Sequence, residues 1–82
     1  MTREQVFEKV RDNLATTQVR DPATITEDTS LDHDLGMDSL DTVEFCMRLT
    51  DDLNVLIEPR DISPRTVRRV VDLVVERVNT TQ

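Results

Sequence analysis

Asp38-Ser39-Leu40-Asp41-Thr42-Val43-Glu44-Phe45-Cys46-Met47-Arg48-Leu49-Thr50-Asp51-Asp52-Leu53 decides the fold, because it reads as one helix carrying two different apolar stripes. At about 100° per residue, Phe45, Leu49 and Leu53, flanked by Thr42 and Cys46, form a stripe that must face a core. Leu40, Val43 and Met47 form a second stripe that the first leaves outside, and Glu44 and Asp51 lie among them. Burying those two acids unpaired would cost several kcal/mol by rough estimate, so this face is expected to stay wet until a basic partner covers it. Asp38, Asp41 and Glu44 fall in the first two turns, where the helix dipole favours negative charge.

Ser39 stands at the start of this helix. No histidine, lysine or cysteine lies within three residues of it, and the nearest histidine, His33, is six residues upstream, so nothing local activates its hydroxyl as a nucleophile. A helix N-terminus does present free N–H groups and partial positive charge, which suits a phosphate esterified to that hydroxyl. Ser39 therefore reads as an attachment point. The competing reading is a plain N-cap serine, and Asp38 can equally be the cap.

Outward from the helix, Thr2 and Gln5 make a capping box, and Val6, Phe7, Val10 and Leu14 recur at helical spacing, predicting a first helix of about three turns. From Ala15 to Asp38 the period fails. This stretch reads as a long folded loop pinned by Val19, Ile25, Leu31 and Leu35, with a short helical turn near Thr24 to Asp28. Gly36, the only glycine, suits a backbone turn or the close approach of a partner. After Leu53, the run Asn54-Val55-Leu56-Ile57 has no partner strand and reads as loop with at most one helical turn. Ser63 is expected to cap a last helix with Pro64 at its first position, its core face made of Val67, Val70, Val71, Val74, Val75 and Val78. The expected fold is an all-α four-helix bundle, three main helices plus a short third one, with a long loop between the first two, in a single domain over residues 1–82.

Composition narrows the function. The net charge of −7 is concentrated: residues 27–58 hold ten acids and one base, whereas residues 59–82 carry a small positive excess. Such a field disfavours nucleic acid and anionic membranes and steers cationic protein surfaces to the middle of the chain. There is no Trp or Tyr to stack on bases. The single cysteine, Cys46, excludes an internal disulfide framework, reads as a small inert hydrophobe, and makes a cytoplasmic address the default. No run approaches the length of a membrane span, and no signal peptide is legible, so no membrane insertion is expected. His33 has no companion ligands and reads as a solvated loop residue; no metal site is expected. A calcium-loop register from Asp32 fails, placing Gly36, Met37 and Val43 where ligands or the turn glycine belong.

The run Ser30-Leu31-Asp32-His33-Asp34-Leu35-Gly36-Met37-Asp38-Ser39-Leu40-Asp41-Thr42-Val43-Glu44 resembles the prosthetic-group segment of acyl carrier proteins. A weaker likeness continues through Phe45, Leu49, the Leu53 to Ile57 stretch and Pro64-Arg65-Thr66-Val67. The resemblance implies a discrete, monomeric carrier that is not an enzyme. It implies that Ser39 receives 4'-phosphopantetheine from coenzyme A, with Asp38 helping to position Mg2+ and the phosphopantetheinyl transferase during loading only. Acyl groups would ride as thioesters between partners such as ketosynthase, acyltransferase, ketoreductase and dehydratase, in fatty-acid biosynthesis or a polyketide-like pathway. The expected docking face is Asp38, Leu40, Asp41, Val43, Glu44, Met47 and Asp51. The aliphatic core is expected to open between the second and last helices to admit part of an acyl chain.

The chain departs from the housekeeping pattern in its shorter Leu56 to Val67 segment, in Pro59-Arg60 where acids are common, and in a last helix made basic by Arg65, Arg68, Arg69 and Arg77. Peptidyl carriers are a poorer match to the acidic Asp-Ser run. The alternative from another class is an unmodified acidic helical adaptor for a basic protein.

Overall fold

The computed structural model describes residues 1–80 and contains three α-helices, α1 (Arg3–Gln18), α2 (Ser39–Leu53) and α3 (Val67–Thr80). Two 3-10 turns, Pro22–Thr24 and Pro59–Asp61, sit in the connections. The architecture is the expected all-α bundle, with its short third member reduced to the Pro59–Asp61 turn. Pro59 presets the backbone for that turn, but Ile62 leaves helical geometry to bury its side chain, which stops propagation after three residues.

Thr2 and Gln5 close the capping box that starts α1, with Thr2 Oγ1 accepting from the Gln5 N–H at 3.1 Å and Gln5 Oε1 accepting from the Thr2 N–H at 2.9 Å. The helix runs past Leu14 to Gln18. Hydrophobic periodicity could not carry it there, since Thr16 and Gln18 are not core residues. Buried Ala15 and the Thr17 hydroxyl, which bonds back to the Asn13 carbonyl, continue the last turn. Val19 ends it in the left-handed region and is 88% exposed, so it does not pin the loop.

Ile25, Leu31 and Leu35 do pin it, together with Met37 and Thr29, all buried. The loop's first turn lies at Pro22–Thr24, capped by Asp21, rather than at Thr24 to Asp28. Its backbone is stitched to the lead into α3: the Leu31 N–H donates to the Arg65 carbonyl at 2.9 Å, and Ser30 and Thr66 form an antiparallel bridge. In return the N–H groups of Val67 and Arg68 donate to the carbonyls of Thr29 and Glu27.

These bonds explain why Ser63 and Pro64 do not open the last helix. α3 begins three residues after Pro64, because Arg65 and Thr66 are held extended against the loop. Thr66 takes over the cap, its Oγ1 accepting from the Arg69 N–H at 3.2 Å. The first three N–H groups of α3 are thus all satisfied from outside the helix ladder.

The core is where the stripes placed it. Val6, Val10 and Leu14 of α1, Phe45 and Leu49 of α2, and Val67, Val70, Val71 and Val74 of α3 are fully buried. Leu53, Val75 and Val78 pack at its margin, and Leu73 is an additional core residue. Around it, Arg3 joins Glu27 of the loop to Asp72 of α3, and Arg68 pairs with Asp28.

Candidate functional site

Leu35 and Met37 are buried on either side of Gly36, which has φ +64°. That left-handed turn, easy for glycine, redirects the chain from the loop into α2. Asp38 is the N-cap: its Oδ1 accepts from the Asp41 N–H at 2.8 Å, and Asp41 Oδ2 accepts from the Asp38 N–H at 3.2 Å. Ser39 is therefore the first helical residue and not the cap. Its side chain is exposed, and its hydroxyl has no hydrogen-bond partner among the described residues. With Asp41 and Thr42 satisfied by Asp38, the N–H groups of Ser39 and Leu40 also lack protein partners among the described residues.

Below this turn, the Thr42 hydroxyl donates to the Asp38 carbonyl at 2.9 Å and accepts from Arg65 Nη2. Arg65 thus joins the first turn of α2, the loop at Leu31 and the lead into α3, with its Nε buried and without a partner among the described residues. The sequence showed it only as one of several basic residues, since nothing in its spacing marks it as half-buried before the helix. The acids ahead of Ser39 serve the loop itself. Asp34 Oδ2 accepts from the Ser30 N–H, and Asp32 takes the Ser30 hydroxyl and the His33 N–H, bonds that hold its carboxyl below the usual range. His33 is exposed.

On the outer face of α2, Leu40, Val43 and Met47 are 64%, 42% and 63% exposed. Asp38, Glu44 and Asp51 are exposed beside them and Asp41 is half-buried. The structure thus brings every residue of the expected docking face onto α2 and its cap. It adds Leu56, an exposed apolar residue that the linear pattern left in a loop. Leu56, Ile57 and Pro59 face Val43, Cys46 and Met47 across an open, mostly apolar groove of about 320 Å³.

Cys46 is buried in the floor between this groove and the core. Burial pushes its thiol up to about 11, with the Arg65 charge opposing the shift. Iodoacetamide at pH 8 is expected to label Cys46 roughly 100-fold more slowly in the native protein than in the unfolded chain, as followed by intact mass. The thiol stays protonated in the folded state while the unfolded one ionises. This contribution to stability is therefore whole below pH 9 and is lost as the pH rises towards 11.

The family of the phosphopantetheine attachment site matches residues 5–74 of this chain. An acyl carrier protein of Petrotoga mobilis is 34% identical over 80 residues, covering 96% of this chain and 94% of that protein. One from Saccharopolyspora erythraea is 39% identical over 80 residues, with 95% and 83% covered. Among solved structures, the acyl carrier protein from Enterococcus faecalis superposes with a TM-score of 0.75 at 29% identity, covering 94% of this chain and 99% of that one.

Proposed function

The chain belongs to the acyl carrier protein family, whose members carry phosphopantetheine and are not enzymes, and from that premise we propose that Ser39 bears the group here. The observation that carries this reading is the free, exposed Ser39 hydroxyl on the first residue of α2, beside two unclaimed backbone N–H groups. A phosphodiester at that position lies at the positive end of the helix dipole. Asp38 and Asp41 oppose it by charge, but each has an oxygen turned into the cap, which moderates the repulsion. The remaining oxygen of Asp38 is available to Mg2+ while the transferase loads the serine.

In loading, a bond forms between Ser39 Oγ and the phosphorus of coenzyme A that bears the pantetheine. The pyrophosphate P–O bond breaks, adenosine 3',5'-bisphosphate leaves, and the serine proton passes to the transferase, since no histidine, lysine or cysteine of this chain lies within three residues of Ser39. Once attached, the arm supplies a terminal thiol that holds acyl groups as thioesters. Incubation with coenzyme A and a broad-specificity transferase tests the assignment: the expected result is a phosphopantetheine mass increment on the peptide containing Ser39. An absent increment would leave the acidic adaptor reading in its place.

The proposed docking face consists of Asp38, Leu40, Asp41, Val43, Glu44, Met47 and Asp51, apolar knobs set among carboxylates. It suits partners whose active-site rims are rich in Arg or Lys, with fast encounter and fast release. Replacing Glu44 by Gln and Asp51 by Asn together is expected to raise the transferase KM about 3- to 10-fold at low salt with kcat unchanged. At 0.5 M salt the difference should collapse, as steady-state kinetics would show.

The proposed pathway is fatty-acid or dedicated polyketide-like acyl assembly, in the cytoplasm. Arg60, exposed on the Pro59–Asp61 turn, puts a cation where an acidic third helix is common, which favours partners adapted to this chain. The groove between α2 and residues 56–59 is the proposed point at which an acyl chain enters shelter.

A further inference from the structure

Leu56, Ile57 and Pro59 form the outer wall of the groove, and the segment that carries them, residues 54–62, is unevenly attached to the rest of the bundle. Val55, Ile57 and Ile62 are buried and anchor it, whereas Leu56 is exposed between them. On the α2 side, the Ile57 N–H makes only a long 3.4 Å contact with Thr50 Oγ1. On the α3 side, one arginine spans the wall. Arg77 Nη1 donates to the Leu56 carbonyl at 2.7 Å, and its Nη2 reaches the Asp61 carboxylate at 3.3 Å. Arg69 Nε adds a bond to the Asp61 carbonyl at 3.2 Å.

A single guanidinium thereby fixes the wall at two points five residues apart. Both charged side chains of the pair are 33% exposed. They are sheltered enough for the bonds to matter and wet enough for the groups to be solvated when the bonds break. Any widening of the groove moves the Leu56 carbonyl or Asp61 relative to α3, and those bonds must stretch or open. Apolar side chains at the same positions would give no such defined stop.

We propose that Arg77 and Asp61 are positioning residues that set how far the wall yields, and hence how long an acyl chain this protein shelters. The proposal rests on the reading that Ser39 carries acyl groups. The groove is open to solvent and its floor, Cys46 and Ile57, is buried against the packed core, so a two-carbon group needs no displacement of the wall, whereas a longer chain leaves water only by pushing the wall aside.

The test compares wild type with Arg77→Gln, Arg77→Lys and Asp61→Asn. Amide hydrogen exchange on the unloaded proteins reads the wall directly. Exchange within residues 55–62 is expected to be about tenfold faster in Arg77→Gln with α1 unchanged, the loss of a charge-assisted bond. Each protein is then loaded as holo, acetyl and octanoyl forms, and melting is measured. Arg77→Gln should enlarge the octanoyl-minus-holo difference in Tm by at least about 2 °C while leaving the acetyl-minus-holo difference in place. Arg77→Lys, which keeps the charge but cannot span both partners, should fall between.

A merely structural arginine would lower all three forms equally. Equal octanoyl increments in wild type and Arg77→Gln, or unchanged exchange in 55–62, would overturn the proposal. Asp61→Asn, which keeps the Leu56 bond, should show the same signs at smaller size and decides the matter if Arg77→Gln does not fold. Failure of wild type to gain mass would remove the carrier reading instead, and the exchange measurement would still decide whether Arg77 holds the wall.

Discussion

Alanine at position 39 is expected to abolish phosphopantetheine loading altogether, with no mass increment at any transferase concentration that converts the wild type completely. The effect is all-or-none because, in the proposed attachment, the hydroxyl oxygen itself becomes the bridging atom, and no neighbouring side chain can replace it. The closest hydroxyl on α2, Thr42, is buried and bonded to the Asp38 carbonyl and Arg65. The fold should be untouched. Ser39 is exposed and makes no side-chain hydrogen bond among the described residues, and alanine is a good helix former, so the change in stability should stay within about 0.5 kcal/mol. Circular dichroism and thermal melting would check this beside the mass measurement. Loading that survived in Ser39→Ala would move the attachment elsewhere.

Phe45→Ala is expected to have the largest effect on stability. Phe45 is fully buried and is the largest such side chain, set in the α2 stripe and in the same buried cluster as the valines of α3 and the apolar residues of α1. Its removal should cost about 3–5 kcal/mol, from lost burial plus the cavity left behind. An 82-residue chain has roughly 4–12 kcal/mol of stability in all, so this one change consumes much or all of it. Urea denaturation should show a sharply lowered midpoint or no native baseline. The exposed Met47→Ala on the opposite stripe is the control, expected to shift stability by less than about 0.5 kcal/mol. Together the two variants separate the face that holds the fold from the face proposed for docking.

The two stripes of α2 were legible because burial there follows a single helical period. The acidic outer face was legible for the same reason: carboxylates among apolar residues are tolerated only where water reaches them. Ser63 and Pro64 misled because a local cap signal competes with non-local pairing, and here the bonds from Glu27, Thr29 and Leu31 to residues 65–68 prevail. Met37 joins the core from the loop, where no helical period could find it, and Leu73, three residues after Val70, widens the α3 stripe beyond its valines. Arg65 and Arg77 illustrate the same limit. Each was one basic residue in a basic C-terminal region, and only tertiary structure separates the one beneath the start of α2 from the one spanning residues 56–61.

The stitching of the loop to residues 65–68 bears on the order of events during synthesis. Leu31 and Thr29 find their backbone partners more than thirty residues further along the chain. A nascent polypeptide still lacking that region has no template on which to set the loop. α1 and α2 can coil as they leave the ribosome, but the corner presenting Ser39 takes its final shape only after the C-terminal third has emerged. On the proposed attachment at Ser39, an enzyme that reads the formed corner would act only once residues 65–68 are in place.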